Sequence, residues 1–315
     1  MRAATIRDGE IRIEEHPDPQ PGKDEVLVRV RAAGLNGADM MQRRGRYPAP
    51  PGWPQDIPGL ELAGEVVENG PGTGGRARFQ PGDRVMAIVG GGGQAELAAI
   101  HERMLMPVPE QLDWAAAGGF PEVFATAHDA LFTQAGLGPG ERLLVHGGAG
   151  GVGTAAIQLG VSAGAHVSAT VRNPDNRAPV AQLGAAVIEP DGFEQQGPFD
   201  VILELVGAPN LDANLDALAT NGRIVVIGIA AGAKGELNLA KLMYKRGRLM
   251  ASTMRARPLE EKALMTRGLE RHVLPLVEAG AVRVPVAETF ALDEAAAAYE
   301  RFAAGGKLGK LVLLP

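Results

Sequence analysis

The sequence predicts an α/β protein with two domains, a doubly wound parallel sheet and an irregular β-barrel. Three observations predict this class. A strand, a glycine-rich turn and a helix follow one another near the middle of the chain, short strands with Pro-Gly and Gly-rich turns precede them, and 315 residues suffice for two cores. The predicted boundaries are 1–121 for the barrel domain, 122–253 for the parallel-sheet domain, and 254–315 for a segment that returns to the barrel.

The glycine-rich turn predicts a dinucleotide site. Residues 142–146 form a short apolar run, and residues 154–163 carry apolar side chains at helical spacing. Between them, three glycines have G-x-G-x-x-G spacing, which permits a tight turn, close approach of a pyrophosphate and close helix packing. The predicted cofactor-binding residues here are Gly148, Ala149, Gly150, Gly151, Val152 and Gly153. The alternative is an accidental turn in a chain with 43 glycines, but a second strand at 166–171 completes a βαβ unit.

The end of that second strand predicts NADPH as the cofactor. An acidic residue that binds the ribose of NAD is expected about 20 residues after the glycines, but Arg172 stands there. Arg172, helped by Arg177, suits the 2′-phosphate of NADP because guanidinium pairs with phosphate. Asp175 follows a proline and is interpreted as a solvated loop carboxylate. Because ligands bind at the carboxyl ends of parallel strands, Gly207, Gly228 and Ile229 are further candidates.

Composition excludes several classes of function. A net charge of −6 gives no basic surface for nucleic acid or for an anionic membrane. The absence of cysteine excludes disulfides, cysteine nucleophiles and thiolate metal sites. No secretory signal is visible at the start, so a cytoplasmic location is expected. The stretch 143–171 lacks charged residues but is interrupted by glycines, which favours a buried α/β core over a membrane span.

The remaining elements follow the same two patterns. Alternating isoleucines predict a first hairpin, and Pro-Gly or Gly-rich joins separate the strands that follow it. Barrel strands are predicted at 26–30, 64–68, 84–89 and 94–100; sheet strands at 185–188, 199–205, 223–227 and 248–252; helices at 259–279 and 293–303; and a last strand at 310–314. Ser162 matches a serine-hydrolase motif, but its place at the far end of a helix makes the match a coincidence.

Several segments, in order, resemble landmarks of one family. They are GLNGADMMQRRGRYPAPPG at 34–52, GGVGTAAIQL at 150–159, LMYKRGRLMASTMRARP at 242–258 and GKLVL at 309–313. The chain resembles the zinc-independent quinone oxidoreductases, zeta-crystallin-like, of the medium-chain dehydrogenase/reductase superfamily, and is most similar to the stress-induced branch. The resemblance implies a Rossmann domain, a GroES-like catalytic domain, NADPH as cofactor, a quinone or enone substrate and a homodimer.

The resemblance also implies roles for individual residues. Asn36, Gln42 and Tyr47 match positions that line the catalytic cleft, although Tyr47 could equally pack on the prolines that follow it. The matched cofactor positions are Thr126, Ser252, Thr253 and Arg255, and Arg255 with Arg257 could instead form an interface pair. Zinc-dependent relatives have cysteine where Asn36 stands, so no metal site is expected, and Glu61 is interpreted as structural. His146 is interpreted as packed or adjacent to the cofactor.

These features predict an NADPH-dependent quinone oxidoreductase. An enone or enoyl-thioester reductase is the alternative within the same class, because conjugate hydride addition uses the same geometry. A non-catalytic NADPH-binding protein is the alternative of another class. The resemblance places residues 248–255 on an exposed edge strand, and such an edge is expected to be covered by a second copy. Two features depart from the family: residues 188–191 lack a tyrosine expected beside the adenosine phosphate, and the lengthened segment 72–80 has no assigned function.

Overall fold

The computed structural model describes residues 1–72 and 77–315, and the chain divides into two compact units. The first unit comprises Met1–Glu122, Met254–Gly305 and Lys310–Pro315, and the second comprises Val123–Thr253 and Gly306–Gly309. Residues 73–76, within the lengthened segment 72–80, lie outside the described residues. The division differs from the predicted boundaries at residue 122, which belongs to the first unit, and at 306–309, which belong to the second.

The first unit begins with short strands, as the turn-rich sequence predicts. Its early elements are β1 (Arg2–Arg7), β2 (Glu10–Glu15), β3 (Glu25–Gly34), α1 (Gly37–Arg43), β4 (Glu61–Asn69), β5 (Arg84–Ile88), β6 (Leu97–His101), β7 (Leu105–Pro107) and α2 (Trp114–Gly118). β1 and β2 form an antiparallel hairpin. Buried valine, leucine and isoleucine side chains of β3, β4, β5 and β6 form one core.

The second unit has a parallel sheet with helices between its strands. In chain order it contains α3 (Pro121–His128, whose first two residues belong to the first unit), a π-helical turn (Asp129–Gln134), β8 (Arg142–Val145), α4 (Gly151–Ser162), β9 (His166–Thr170), α5 (Arg177–Ala181), β10 (Ala186–Ile188), β11 (Phe199–Glu204), α6 (Leu211–Ala217), β12 (Leu218–Val226), α7 (Leu239–Lys245) and β13 (Arg248–Ala251). The strand order is β10-β9-β8-β11-β12-β13, and every pairing is parallel. This confirms the doubly wound sheet. The order reverses between β8 and β11, which is where such sheets bind ligands.

The chain then returns to the first unit. The returning elements are α8 (Leu259–His272), α9 (Leu274–Glu278), β14 (Val286–Ala291), α10 (Ala295–Ala304) and β15 (Lys310–Leu314). The single helix predicted at 259–279 is broken at Val273, because Pro275 lacks an N–H donor and restricts the residue before it. The larger sheet of this unit has the order β14-β15-β3-β4-β5-β7, with β6 also paired to β3.

The positions and lengths of the helices bear on two further features of the sequence, the serine-hydrolase motif and the uncharged stretch 143–171. Ser162 is the last residue of α4, so it does not lie at a strand-to-helix elbow. Among residues 1–72 and 77–315, each helix is too short or too polar to cross a membrane.

Candidate functional site

The glycine turn of the second unit joins β8 to α4. The left-handed residue is Gly147, with φ of +66°, rather than Gly148. A Cβ on Gly148 would lie 2.8 Å from the Ala169 side chain, and one on Gly153 would lie 2.4 Å from the Gly147 carbonyl oxygen. A Cβ on Gly150 would meet only the Gly147 carbonyl oxygen, at 3.4 Å. Packing within the protein therefore requires glycine at 148 and 153, whereas glycine at 150 leaves bare backbone that a ligand can approach.

Helix α4 begins at this bare backbone. Its N-cap is Gly150, and no side chain caps the first turn of the 12-residue helix. The first-turn N–H groups of Gly151, Val152 and Gly153 have no acceptor within the helix, and the helix dipole adds positive potential there. The glycine turn is also fixed by a hydrogen bond of 2.8 Å, in which the Gly309 N–H donates to the Ala149 carbonyl. These residues fit a pyrophosphate group.

The two arginines predicted to bind the 2′-phosphate differ in their surroundings. Arg172 lies two residues beyond β9, is exposed, and has no ion-pair partner among the described residues. Arg177 already pairs with Glu189, with contacts of 2.6 and 2.7 Å. Asp175 is exposed and its N–H donates to the Asn173 side chain, as expected of a loop residue. Arg172 is therefore the arginine that can meet an added phosphate without losing a partner.

The loops after β11 and β12 contain the next predicted residues. Gly207 has φ of +127°, and a Cβ there would lie 2.5 Å from the Gly232 carbonyl oxygen. A Cβ on Gly228 would lie 2.1 Å from the Leu205 carbonyl oxygen, so both glycines are required by close backbone packing. Ile229 is 41% exposed. The contacts of these three residues with a cofactor stay predictions.

The second unit also contains the predicted residues Thr126, Ser252 and Thr253. Thr126 is buried in α3. Ser252 follows β13, and its hydroxyl donates to Asp129 at 3.0 Å. Ser252 and Thr253 thus lie at the carboxyl end of an edge strand, consistent with their predicted place but without a test of their role.

A network of buried polar side chains lies next to the glycine turn, around His146. The two ring nitrogens of His146 lie 2.8 Å from the Asn214 amide oxygen and 3.2 Å from the Thr170 hydroxyl. Burial lowers the pKa of His146. Glu204 accepts hydrogen bonds from the Asn214 amide at 2.7 Å and from the N–H groups of 206 and 207. His146 is therefore a packed residue, and Glu204, which sequence reasoning missed, positions the loop that contains Gly207.

In the first unit, Asn36 belongs to a buried cluster with Glu61 and Lys310. The Lys310 ammonium donates to Glu61 at 2.6 Å, to the Asn36 side-chain oxygen at 2.7 Å and to the Leu35 carbonyl at 2.7 Å. The Asn36 amide donates to Glu61 at 2.9 Å, and the Glu122 N–H donates to the other Glu61 oxygen at 2.8 Å. Glu61 is fully buried, so its predicted structural role fits these contacts. Lys310 was missed, although a lysine that opens an apolar strand is a visible signal.

Gln42 and Tyr47 are organised by Arg255. The guanidinium is 1% exposed and donates to the Gly90 carbonyl at 2.7 Å, the Tyr47 carbonyl at 2.6 Å and the Gln42 side-chain oxygen at 2.6 Å. It also lies 5.4 Å from the centre of the Tyr47 ring, within cation–π range. The structure therefore gives Arg255 a positioning role that the sequence did not predict. Its contact with the cofactor stays a prediction, as do the cleft roles of Gln42 and Tyr47.

Burial shifts two carboxyl groups of the first unit strongly. It raises the pKa of Asp39 to about 6, against hydrogen bonds from the N–H groups of Asn36 and Gly59. It raises the pKa of Glu122 to about 8, with the nearby Glu61 charge adding to the shift. One Glu122 carboxyl oxygen has no hydrogen-bond partner among the residues described. Glu122 is thus mostly protonated at neutral pH.

Comparison with known proteins identifies the family. The alcohol dehydrogenase GroES-like domain matches residues 22–110, and the zinc-binding dehydrogenase domain matches residues 184–313. Quinone oxidoreductases from Pseudomonas aeruginosa and Rattus norvegicus are 32% and 31% identical, over 96% and 94% of this chain and 94% and 91% of their own. The chain belongs to the quinone oxidoreductase family of the medium-chain dehydrogenase/reductase superfamily.

A solved member of this superfamily extends the comparison to structure. A mycobacterial protein in complex with NADPH superposes with a TM-score of 0.88 at 26% identity, covering 100% of both chains. The predicted fold class, a Rossmann sheet with a GroES-like domain, is confirmed. The chain is an oxidoreductase of this superfamily. Within 1–72 and 77–315, the structure contains no group of three or more His, Asp or Glu side chains arranged to hold a metal.

Proposed function

We propose that this chain is an NADPH-dependent, zinc-independent oxidoreductase that transfers hydride to quinones. The observation that carries the proposal is the bare turn at Gly150, which leads into the uncapped helix α4. Arg172, two residues beyond β9, is exposed and has no ion-pair partner among the described residues, which supports NADPH over NADH as the cofactor. The names of the relatives support a quinone as the acceptor.

The residues of this chain would bind and orient the cofactor rather than react. When bound, NADPH supplies the hydride. The N–H groups of 151–153 would hold the pyrophosphate, and Arg172 would pair with the 2′-phosphate. Gln42 and Tyr47, held in place by Arg255, would orient a flat acceptor, and orientation alone accounts for a large part of such a rate enhancement.

The donor groups near Asn36 support chemistry without zinc. Zinc in these enzymes is held by thiolate, imidazole or free carboxylate groups. The Asn36 amide is hydrogen-bonded at both ends, and Glu61 already accepts from Lys310, Asn36 and the Glu122 backbone. Binding a zinc ion here would require breaking these buried contacts.

An acceptor panel tests the proposed reaction. NADPH oxidation would be followed with ortho- and para-quinones, 2-alkenals and enoyl thioesters under one set of conditions. We expect quinones to give the highest kcat/KM. Turnover confined to enoyl thioesters would replace the proposal with a reductase of that class, and NADPH binding without stimulation by 1,2-naphthoquinone or any other acceptor would indicate a binding protein.

Replacing Arg172 tests the cofactor preference. The charge-assisted contact with phosphate is worth about 1.5 to 3 kcal/mol, so Arg172→Ala should lower the NADPH-to-NADH ratio of kcat/KM by roughly 10- to 150-fold. The effect should be larger at low salt. The matched control Arg271→Ala removes an exposed arginine of α8 and should leave the ratio unchanged. Equal losses with both cofactors would make Arg172 a structural residue.

Glu189 should oppose NADPH binding through its pair with Arg177. Glu189→Gln removes a negative charge beside the phosphate position and releases Arg177 from an exposed ion pair. Because such pairs are worth about 0.2 to 1 kcal/mol, KM for NADPH should fall by about 1.4-fold to fivefold while KM for NADH stays constant. Asp191→Asn makes the same charge change two residues away and should have a smaller effect. An unchanged KM for NADPH in Glu189→Gln would show that Arg177 takes no part.

We also propose that the chain forms a homodimer through β13. This strand comprises only 248–251 of the expected edge segment 248–255, because the chain leaves the sheet after Ala251 and Arg255 is buried. It is at the edge of the parallel sheet, so its outer backbone groups are unpaired within that sheet. Large apolar side chains are exposed on this strand and on the helix that precedes it in the chain: Leu249 on β13, and Leu239, Met243 and Tyr244 on α7. A second copy related by a two-fold axis would extend the sheet and cover these side chains.

A charge on the edge strand tests the dimer. Wild-type protein at micromolar concentration should sediment at twice the chain mass of 32.8 kDa. Leu249→Lys should shift it to the mass of one chain, because a lysine would be forced against the partner strand. The control Leu264→Lys changes a leucine of α8 that is 71% exposed and should leave the mass unchanged. A wild-type protein that sediments as a single chain would remove the proposal.

A further inference from the structure

A cavity of about 410 Å³ lies in the first unit. Its volume is within the range of small-molecule sites. The wall is mainly apolar, formed by Trp53, Pro54, Ile57, Leu97, Met104 and Leu259. The charged and titratable lining side chains are Lys262, Arg257, His101 and Glu25. The cavity therefore combines an apolar wall with a surplus of basic groups.

Lys262 is the most unusual of these side chains. It is 3% exposed and lies on the buried face of α8, in helical register with Met265 and Leu269. Its ammonium is 5.2 Å from the centre of the Trp53 ring. Among the described residues it has neither a carboxylate within ion-pair distance nor a hydrogen-bond acceptor. Burial lowers the pKa of Lys262, and an anionic ligand in the cavity would stabilise its charged form.

The acidic groups nearby do not supply that anion. Glu122 interacts with Lys262 electrostatically, but burial raises the pKa of Glu122 to about 8, so it is largely neutral at pH 7. Glu25 lines the cavity and accepts the Gly22 N–H at 2.7 Å. Arg255 adds a further positive charge that interacts with Lys262.

Trp53 gives the cavity a fixed aromatic wall. A Cβ on Gly90 would lie 2.5 Å from the indole ring, so the ring rests directly on bare backbone. The Gly90 carbonyl is in turn held by Arg255, and the Trp53 carbonyl accepts the Gln55 amide at 2.9 Å. A flat, rigid indole next to an ammonium suits a ligand with a planar ring and a negative group.

From this geometry we infer that the first unit contains a binding site for a small aromatic carboxylic acid. The carboxylate pairs with Lys262, and the ring packs against Trp53, Met104 and Leu259. Binding at this site requires neither NADPH nor an electron acceptor, so the inference stands or falls separately from the proposed reaction.

Tryptophan fluorescence can report binding at this site. The chain has two tryptophans, and the second, Trp114, lies under Arg84 at 4.5 Å, away from the cavity lining. In a Trp114→Phe background, Trp53 is the single reporter. Benzoate is the probe, and benzamide is the matched neutral probe with the same ring.

We expect benzoate to change Trp53 emission saturably and benzamide to bind at least about tenfold more weakly, as for loss of one charge-assisted contact. Lys262→Met keeps an unbranched side chain that is one atom shorter and removes the ammonium, so it should weaken benzoate binding by about tenfold to hundredfold. Lys234→Met, which removes an exposed lysine of the second unit, should have no effect.

Several outcomes would overturn the inference. Equal affinities for benzoate and benzamide would do so, as would unchanged benzoate binding in Lys262→Met. Displacement of benzoate by an equal concentration of sulfate would indicate a general anion site instead. If Lys262→Met does not fold, as judged by circular dichroism, the comparison of the two probes on the Trp114→Phe protein decides alone.

Discussion

Replacing Lys310 with methionine is expected to lower the free energy of unfolding by about 3 to 5 kcal/mol, the cost of leaving one partner of a buried ion pair alone. Lys310 and Glu61 are 2% and 0% exposed, and their contact is 2.6 Å long. Without the ammonium, the Glu61 carboxylate would keep the Asn36 amide and the Glu122 N–H as donors but would lose its counter-charge. Urea denaturation of the full chain measures the loss.

A double variant distinguishes the loss of the ion pair from the loss of packing in the core as the cause of lower stability. Lys310→Met with Glu61→Gln removes both charges, so it should recover a large part of the loss, since neutral replacement of a buried pair is often well tolerated. Arg31→Met breaks the exposed pair with Glu65 and should cost about 1 kcal/mol or less. If the double variant were less stable than Lys310→Met alone, the charge argument would be wrong and packing would explain the effect.

Glu122 should make the protein less stable as the pH rises above neutrality. Its folded pKa of about 8 lies above the ordinary value of 4.5, so the folded state keeps a proton that the unfolded state has released. Stability then falls as pH rises through this window, by about 1.4 kcal/mol per pH unit while the difference persists. Between pH 6 and pH 8 the loss from Glu122 should be about 2 to 3 kcal/mol.

Glu122→Gln should flatten this dependence and raise stability at pH 8 above that of the wild type. Asp39 contributes with the same sign but mainly below pH 6, where its raised pKa of about 6 places its titration. His146 has a lowered pKa and acts in the opposite direction, mainly below its ordinary value of 6.5. Glu110→Gln, at an exposed position, is the control. An unchanged slope between pH 6 and pH 8 in Glu122→Gln would show that Glu122 is ionised in the folded protein.

The parallel sheet could be predicted from the sequence because its strands contain short apolar runs, such as 201–203 in β11 and 224–226 in β12. The predicted strands at 199–205 and 248–252 each end one residue beyond the observed β11 and β13, and the last strand matches β15 at both ends. The predicted helix 259–279 was wrong in one respect, since Pro275 divides it. Helical periodicity identifies the buried face of a segment, but it does not show where a proline ends the helix.

The buried charges could not be predicted in the same way. Glu61 and Lys310 are 249 residues apart, so nothing local connects them. Lys262 has a core-facing position on α8, in register with Leu269, and the sequence shows that register without showing the cavity beside it. Arg255 was recognised as a motif residue, yet its three acceptors lie far away in the chain, on Gln42 of α1 and in the loops at Tyr47 and Gly90. The partners of these buried charged side chains depend on which polar groups the fold buries next to them, and that is set by contacts between distant parts of the chain.

The segment Gly306–Gly309 has a consequence for any attempt to excise the nucleotide-binding part. The Gly309 N–H bonds to the Ala149 carbonyl, and the Gly306 carbonyl accepts the amides of Asn173 and Asn176. A fragment of residues 122–253 therefore leaves the glycine turn and the loop after Arg172 without four residues that tie them down. Residues 306–309 must therefore be restored to such a fragment before its nucleotide affinity can be compared with that of the full chain.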